Sequence, residues 1–296
     1  MKSIFTTPVK EDSIEYQGIG SLRGARHDCN YFPTTLIPDS SMWGLKEIRD
    51  EYNFSSRAYF EHGIYFGDVI LPAQSSRFVN NIVTQSPFRY EFLKKNLDKK
   101  INLINNYMYS VNIDGYGLSN DLNQSKPPFC IYFPPHSTNS IRQKFSIEDS
   151  LKRVKDLSGD LKIYVSVFHL DYTPYLVDSI NRCGAHPICF GSRYSPFFLK
   201  NIKRCLTNSK MVITSEIGTH VGYSLACGKS PIVLLDYTDV TVINKTRWAK
   251  ELSSYSNYDS AQIQKNQVWE VLEKFNGKLP SSGQNYDFLK KIFGLI

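Results

Sequence analysis

Between residues 129 and 235 short apolar runs alternate with amphipathic stretches: FCIYFP, IEDSLKRVKDL, LKIYVSVF, TPYLVDSINRCG, HPICF, SPFFLKNIKRCL, MVIT and, after a polar turn and a short helix, PIVLL. The apolar runs lack polar alternation, which predicts strands covered on both faces, and the segments between them carry helical spacing. That order predicts a parallel sheet with helices on both sides. Gly184 and Gly228 stand where two of those helices end.

The first half is less regular. Residues 1–50 are rich in Gly, Pro, Asp and Ser and read as an irregular segment packed over something else. From Tyr59 the pattern YFEHGIYFGDVILP predicts a turn at Glu61, His62 and Gly63 before an apolar stretch. NNIVTQS follows as a strand, then a helix through residues 92–97 and the run KINLINNYMYSV, together a first α/β lobe. Residues 112–128, NIDGYGLSNDLNQSKPP, have the composition of a linker. Helices are expected around residues 247–252, 263–275 and 288–293. The expected organisation is an N-terminal α/β lobe over residues 1–120, a second α/β lobe over 121–260, and C-terminal helices over 261–296 that pack back across the lobes.

Candidate chemistry gathers where strands end. Ligands of open α/β sheets bind beyond the carboxyl ends of the strands, where free N–H groups of the next helix favour an anion. Ser215, Gly218, Thr219 and His220 follow MVIT and suit such a phosphate cradle; the same residue types also suit a plain helix cap. Pro135, His136, Ser137 and Thr138 follow the first strand of this half, His169 and Asp171 the second, and Gly191, Ser192 and Arg193 the third. Four polar strand ends on one edge fit a ligand crevice. Arg193 suits a phosphate partner, and His136 or His220 a phosphate donor. In the first half, Glu61 beside His62 suits a general base, or equally a turn whose side chains face water. Arg23, Arg26, His27 and Asp28 fit either a cleft lining or a polar loop.

Composition narrows this picture. A formal charge of +7 admits nucleic acid, an anionic membrane face or a phosphorylated substrate, but the basic residues are dispersed, so nucleic acid is not expected. Nineteen Tyr and eighteen Phe suit a dense core or stacking surfaces. The six cysteines form no CxxC pair, and neither zinc nor a disulfide framework is expected. No run reaches membrane-spanning length and MKSIFTTPVKEDS lacks a signal-peptide core, so the expected location is cytoplasmic.

The arrangement of two α/β lobes, a linker and polar strand ends resembles the GT-B fold of sugar-nucleotide glycosyltransferases, with two Rossmann-like lobes about an interlobe cleft. FEHGIYFGD, FPPHSTNSIRQKFS, FGSRYSPFFLKNIKRCL and TSEIGTHVGYSLACGKSPIVL, spread over residues 59–235, resemble proteins of bacterial capsule and O-antigen gene clusters. In spacing and order they are also similar to the acid-Gly, His-Pro and Ser/Thr motifs of bacterial sialyltransferases and Kdo transferases, which use CMP-activated sugars. This chain departs from that pattern with Glu61-His62-Gly63 where two acids are usual and Ser137 where proline is usual.

The resemblance implies a glycosyltransferase with Glu61 as base on the acceptor hydroxyl, His136 as donor to the nucleotide phosphate, and Ser215 and Thr219 as phosphate ligands. His62 and His136 join Glu61 as catalytic candidates; Ser137, Arg193, Ser215, Gly218, Thr219 and His220 are the donor-binding candidates. It implies no cofactor beyond the nucleotide-sugar donor, with CMP-sugar favoured, no metal, and a glycan or lipid-linked glycan acceptor, with peripheral contact at the inner membrane. Alternatives are a nucleotide-sugar epimerase or hydrolase, and a non-catalytic sugar-nucleotide- or glycan-binding component of polysaccharide assembly.

Overall fold

The computed structural model describes residues 44–54, 58–113, 127–137, 141–168, 171–190, 197–234, 239–243, 245, 255–278 and 280–295. The first half runs α1 (Leu45–Glu51), β1 (Ala58–Phe60), β2 (Asp68–Val69), α2 (Pro72–Ser75), β3 (Asn81–Thr84), α3 (Pro87–Asn96), β4 (Lys100–Leu103) and α4 (Tyr107–Ser110). Then come β5 (Phe129–Phe133), β6 (Ile141–Lys144), α5 (Ile147–Ser158), β7 (Lys162–Ser166), α6 (Pro174–Arg182), β8 (His186–Ile188), α7 (Phe198–Asn208), β9 (Met211–Thr214), α8 (Thr219–Ala226) and β10 (Pro231–Val233). The chain continues through β11 (Asp239–Val242), β12 (Tyr255–Asn257), α9 (Tyr258–Lys274) and α10 (Gln284–Phe293).

Two parallel sheets result. The smaller has the order β1-β3-β4, and the larger has the order β10-β9-β5-β7-β8. In the larger sheet the chain starts at β5, moves outward through β7 and β8, then returns to the other side of β5 with β9 and β10. The direction of winding therefore reverses between β5 and β9, and that reversal opens the ligand crevice of doubly wound sheets. Two antiparallel pairs, β6 with β11 and β2 with β12, were not expected from the sequence. These strands are two to four residues long and pair with partners nearly a hundred or more positions away, so local periodicity carries no sign of them.

Local chemistry explains the regular elements. In α5, Ser146 Oγ accepts from Asp149 N at 3.1 Å, Glu148 and Asp149 sit at the positive end of the helix, and Ile147, Leu151, Val154 and Ser158 form the buried stripe. In α3, Ser86 caps the first turn and Pro87 opens it.

Alternation in β5 divides the core. Phe129, Ile131 and Phe133 face one cluster with Leu199, Ile202, Cys205 and Leu206 of α7, and that cluster runs on into Phe60, Val83 and Tyr107 of the first half. Cys130 and Tyr132 face the opposite side, against Leu151, Val154 and Ile180. Burial pushes the Cys130 thiol up to about 12, as expected of a thiol serving as a small core residue. Among the described residues Cys130, Cys183, Cys189, Cys205 and Cys227 are not joined in disulfides. The helix expected around residues 247–252 and most of the linker at 112–128 lie outside the described residues.

The end of α10 is wedged against the first half. Ser86 Oγ donates to Lys291 O at 3.0 Å, Asn106 Nδ2 to Phe293 O at 2.9 Å, and Asn106 N to Gly294 O at 2.9 Å. Phe293 also lies against Gly222 of α8, where an added Cβ would come within 2.5 Å of its ring. Ile64, Phe66, Val221, Leu225, Val268, Leu289, Ile292 and Phe293 thus form one apolar cluster drawn from both halves and the C-terminal helices. Among the described residues no helix is long and apolar enough to cross a membrane.

Gly294 has φ 63° and a Cβ there would collide with the carbonyl of Gln85, a backbone group that cannot step aside. Gly228 has φ 70° with open space around its Cβ position. Gly294→Ala is expected to lose at least about 2 kcal/mol of stability in urea unfolding, and Gly228→Ala about 1 kcal/mol. Equal losses would show that α10 is not seated as described.

Candidate functional site

Glu61 follows β1, and its environment is that of a structural counter-ion. Its side chain is 1% exposed. Arg89 donates to Oε1 through Nη2 at 2.8 Å and Nε at 3.1 Å, Gln74 Nε2 donates to the same oxygen at 2.8 Å, and Thr84 Oγ1 donates to Oε2 at 2.7 Å. Its backbone is engaged as well, with N donating to Val83 O and Tyr107 Oη donating to the carbonyl at 2.6 Å. Arg89, fully buried, spends its other donors on Gly67 O and Val69 O and lies under the rings of Tyr65 and Phe92. A carboxylate so placed anchors the turn; it is not offered to a substrate proton.

That turn is the useful object. His62 is half-buried, and the Tyr65 hydroxyl lies 3.3 Å from its Nδ1. Ile64 N donates to Thr219 Oγ1 at 3.0 Å, so the turn from the first half touches the first residue of α8. A Cβ at Gly63 would lie 2.5 Å from Thr219 Oγ1, so the approach requires glycine.

At the carboxyl edge of the larger sheet, the ends of β5 and β9 flank the point of reversal. Gly218 is the N-cap of α8 and, among the described residues, no side chain caps this helix. Thr219 is its first residue, and its hydroxyl serves the turn at Ile64. The amides of the first turn are therefore left without a side-chain cap, which favours an anion there. His220 lies parallel to the Phe133 ring at 5.2 Å, its Nε2 meets Thr214 Oγ1, and it lies 3.0 Å from Glu216 O, an acceptor that places the ring proton on Nε2. Burial pushes this imidazole down from 6.5 to about 4, against a smaller opposing pull from Glu216; the charges of His136 and Lys265 push the same way as burial.

His136 follows β5 with its side chain 45% exposed. Its Nδ1 lies 3.6 Å from Glu216 Oε1, at ion-pair range but beyond a hydrogen bond. Phe168, after β7, packs its ring 5.1 Å from His136. Ser137 is buried and structural: its N donates to Asp171 Oδ2 at 2.7 Å and its Oγ accepts from Gln143 N at 3.1 Å. Ser215 is also buried, with Oγ 2.6 Å from Tyr132 Oη and N donating to Phe133 O. Arg193, Thr138 and His169 lie outside the described residues, as do Arg23, Arg26, His27 and Asp28.

The structure thus brings His62, His136, Gly218, Thr219 and His220 to one region and places Glu61, Ser137 and Ser215 in supporting positions behind it. Sequence reading missed Glu216, hidden inside the Ser-Glu-Ile-Gly-Thr-His turn, and Lys265 of α9, whose charge is felt at His220. Glu216 was legible from its place two residues beyond a strand; Lys265 carried no signal. Among the described residues no group of three or more His, Cys, Asp or Glu side chains could hold a metal ion.

No family model and no curated protein matches the chain. Solved structures similar to it include a Staphylococcus aureus MnaA–UDP co-structure, at 13% identity over 73% of this chain and 54% of that one. Another is a Neisseria meningitidis UDP-GlcNAc 2-epimerase bound to UDP-GlcNAc, at 11% identity over 74% of this chain and 61% of that one. The chain spans between half and two thirds of those structures, and the TM-score is 0.34 in each, too low to bear on what this chain does.

Removing one partner of the buried pair leaves the other charge stranded. Glu61→Ala is expected to cost about 3–5 kcal/mol, and Glu61→Met with Arg89→Leu to recover most of it, measured by urea unfolding. For His220, between pH 6.5 and about 4 the unfolded chain binds a proton that the folded chain refuses, so stability falls as pH drops through that window. His220→Gln is expected to show a shallower fall in Tm over the same range, whatever its stability at pH 7.

Proposed function

We propose that the chain is a sugar-nucleotide-dependent glycosyltransferase built as two α/β lobes in the GT-B manner, acting in bacterial surface-polysaccharide assembly. The observation that carries this reading is the meeting, at the reversal point between β5 and β9, of an uncapped helix start with His136 on one side and the turn bearing His62 on the other. The donor phosphate lies against the first turn of α8, with His136, Thr219 and Lys265 around it and the neutral His220 behind it. His62, two residues from the turn's hydrogen bond to Thr219, takes the proton of the acceptor hydroxyl in place of Glu61, whose two oxygens are both held in buried hydrogen bonds. Charge developing on the leaving phosphate meets fixed donors, which lowers the barrier electrostatically. CMP-sugar is the donor expected from the sequence resemblance, and a glycan or lipid-linked glycan the acceptor. The lobe division at residue 120, with residues 261–296 as a brace, belongs to the same proposal.

Thermal-shift measurements with CMP, UDP, GDP and dTDP test it. One of the four, at about a hundred times its Kd, is expected to raise Tm by about 5 °C, and Lys265→Gln to reduce that rise while leaving the free protein's Tm nearly unchanged. If none of the four raises Tm, the proposal fails. If donor is consumed equally well with and without acceptor glycan, transfer is not the reaction.

A further inference from the structure

Glu216 stands apart from the other carboxylates near this site because the fold holds its backbone and leaves its side chain in the crevice. Its N donates to Thr214 Oγ1 at 3.3 Å, and its carbonyl accepts from Thr214 Oγ1 at 2.8 Å and from His220 Nε2 at 3.0 Å. The side chain is 33% exposed and points to His136 Nδ1. The Phe168 ring also packs 5.1 Å from the imidazole. His136 thus meets both an aromatic ring and a carboxylate, and with Nδ1 turned to Glu216 its Nε2 lies across the ring from that contact.

We infer that Glu216 is a positioning residue: it takes the Nδ1 proton of His136 in a hydrogen bond, fixes the ring, and so presents Nε2–H to the phosphate oxygen of the departing nucleotide. At 3.6 Å the two groups stand within ion-pair range of each other. The inference rests on the sugar-nucleotide reading above. In the transfer step the bond from the anomeric carbon to the phosphate oxygen breaks and its electron pair goes to that oxygen, which accepts the hydrogen bond from His136 Nε2. The acceptor oxygen bonds to the anomeric carbon and its proton passes to His62. Glu216 balances the positive charge on His136 and itself touches no reacting atom.

A carboxylate just before a helix start also interacts favourably with that helix, and a purely structural Glu216 would do no more. The two roles part in kinetics. With the full chain, nucleotide release from CMP-N-acetylneuraminate and from UDP-N-acetylglucosamine is followed with water as acceptor, alongside thermal shifts by CMP and UDP. Glu216→Gln is expected to lower kcat by about 100-fold with KM and the nucleotide shift changed by less than about threefold, and Glu216→Asp to regain a tenth or more of the activity. Glu216→Gln combined with His136→Gln is expected to be no slower than His136→Gln alone, because the carboxylate acts through the imidazole. An unchanged kcat in Glu216→Gln, or effects that multiply in the double variant, overturns the assignment while the nucleotide reading stands. If wild-type protein is shifted by none of CMP, UDP, GDP and dTDP, the sugar-nucleotide reading falls and the role of Glu216 falls with it. Nucleotide binding without any release by wild-type protein overturns the role of Glu216 alone.

Discussion

The contact on which most of the molecule depends is the buried pair of Arg89 and Glu61. Desolvating both charges is expensive, and the geometry compensates because every charged-group N and O atom of both side chains has a partner: the carboxylate takes four hydrogen bonds and the guanidinium reaches two carbonyls of the following segment. A helix, a strand end and the loop between them are thereby locked into one unit. The glycine turn that meets α8 projects from that unit, so an interaction confined to the first half decides the shape of the crevice on the second.

The second constraint is topological. Sheet order β10-β9-β5-β7-β8 leaves a gap beyond β5 and β9 whatever side chains are present. This sequence furnishes it with a histidine and a glutamate beyond the strand ends and a second histidine in the first turn of α8, and adds a lysine from α9. Burial pushes the His220 imidazole down to about 4, so its ring is neutral, and Lys265 of α9 brings a charge that is felt there.

Much of this was legible beforehand. The strands and helices of residues 129–235 could be read because each is a continuous apolar run or an amphipathic stretch of helical length, and the convergence of His136 with residues 218–220 follows from strand order alone. Roles were less legible than positions. Glu61 next to His62 looks in sequence like an acid and a base side by side, yet alternation at the strand end turns the first inward and leaves the second half-buried. Nothing local to Glu61 reveals that Arg89, twenty-eight positions later, closes over it. Ser137 and Ser215 likewise have the right chemistry for phosphate, but their hydroxyls are committed to Gln143 and Tyr132.

The seating of α10 against Asn106 and Gln85 bears on how the chain reaches this state. The hydrogen bond from Asn106 to Phe293 spans 187 positions, and that from Ser86 to Lys291 spans 205. Such pairings require closing very long loops before any stabilisation is gained, which slows folding far more than it weakens the final structure. Ile64, Phe66 and Phe88 of the first half, made early on the ribosome, must wait without their apolar partners until α10 emerges, and that interval is when association with other chains competes with folding.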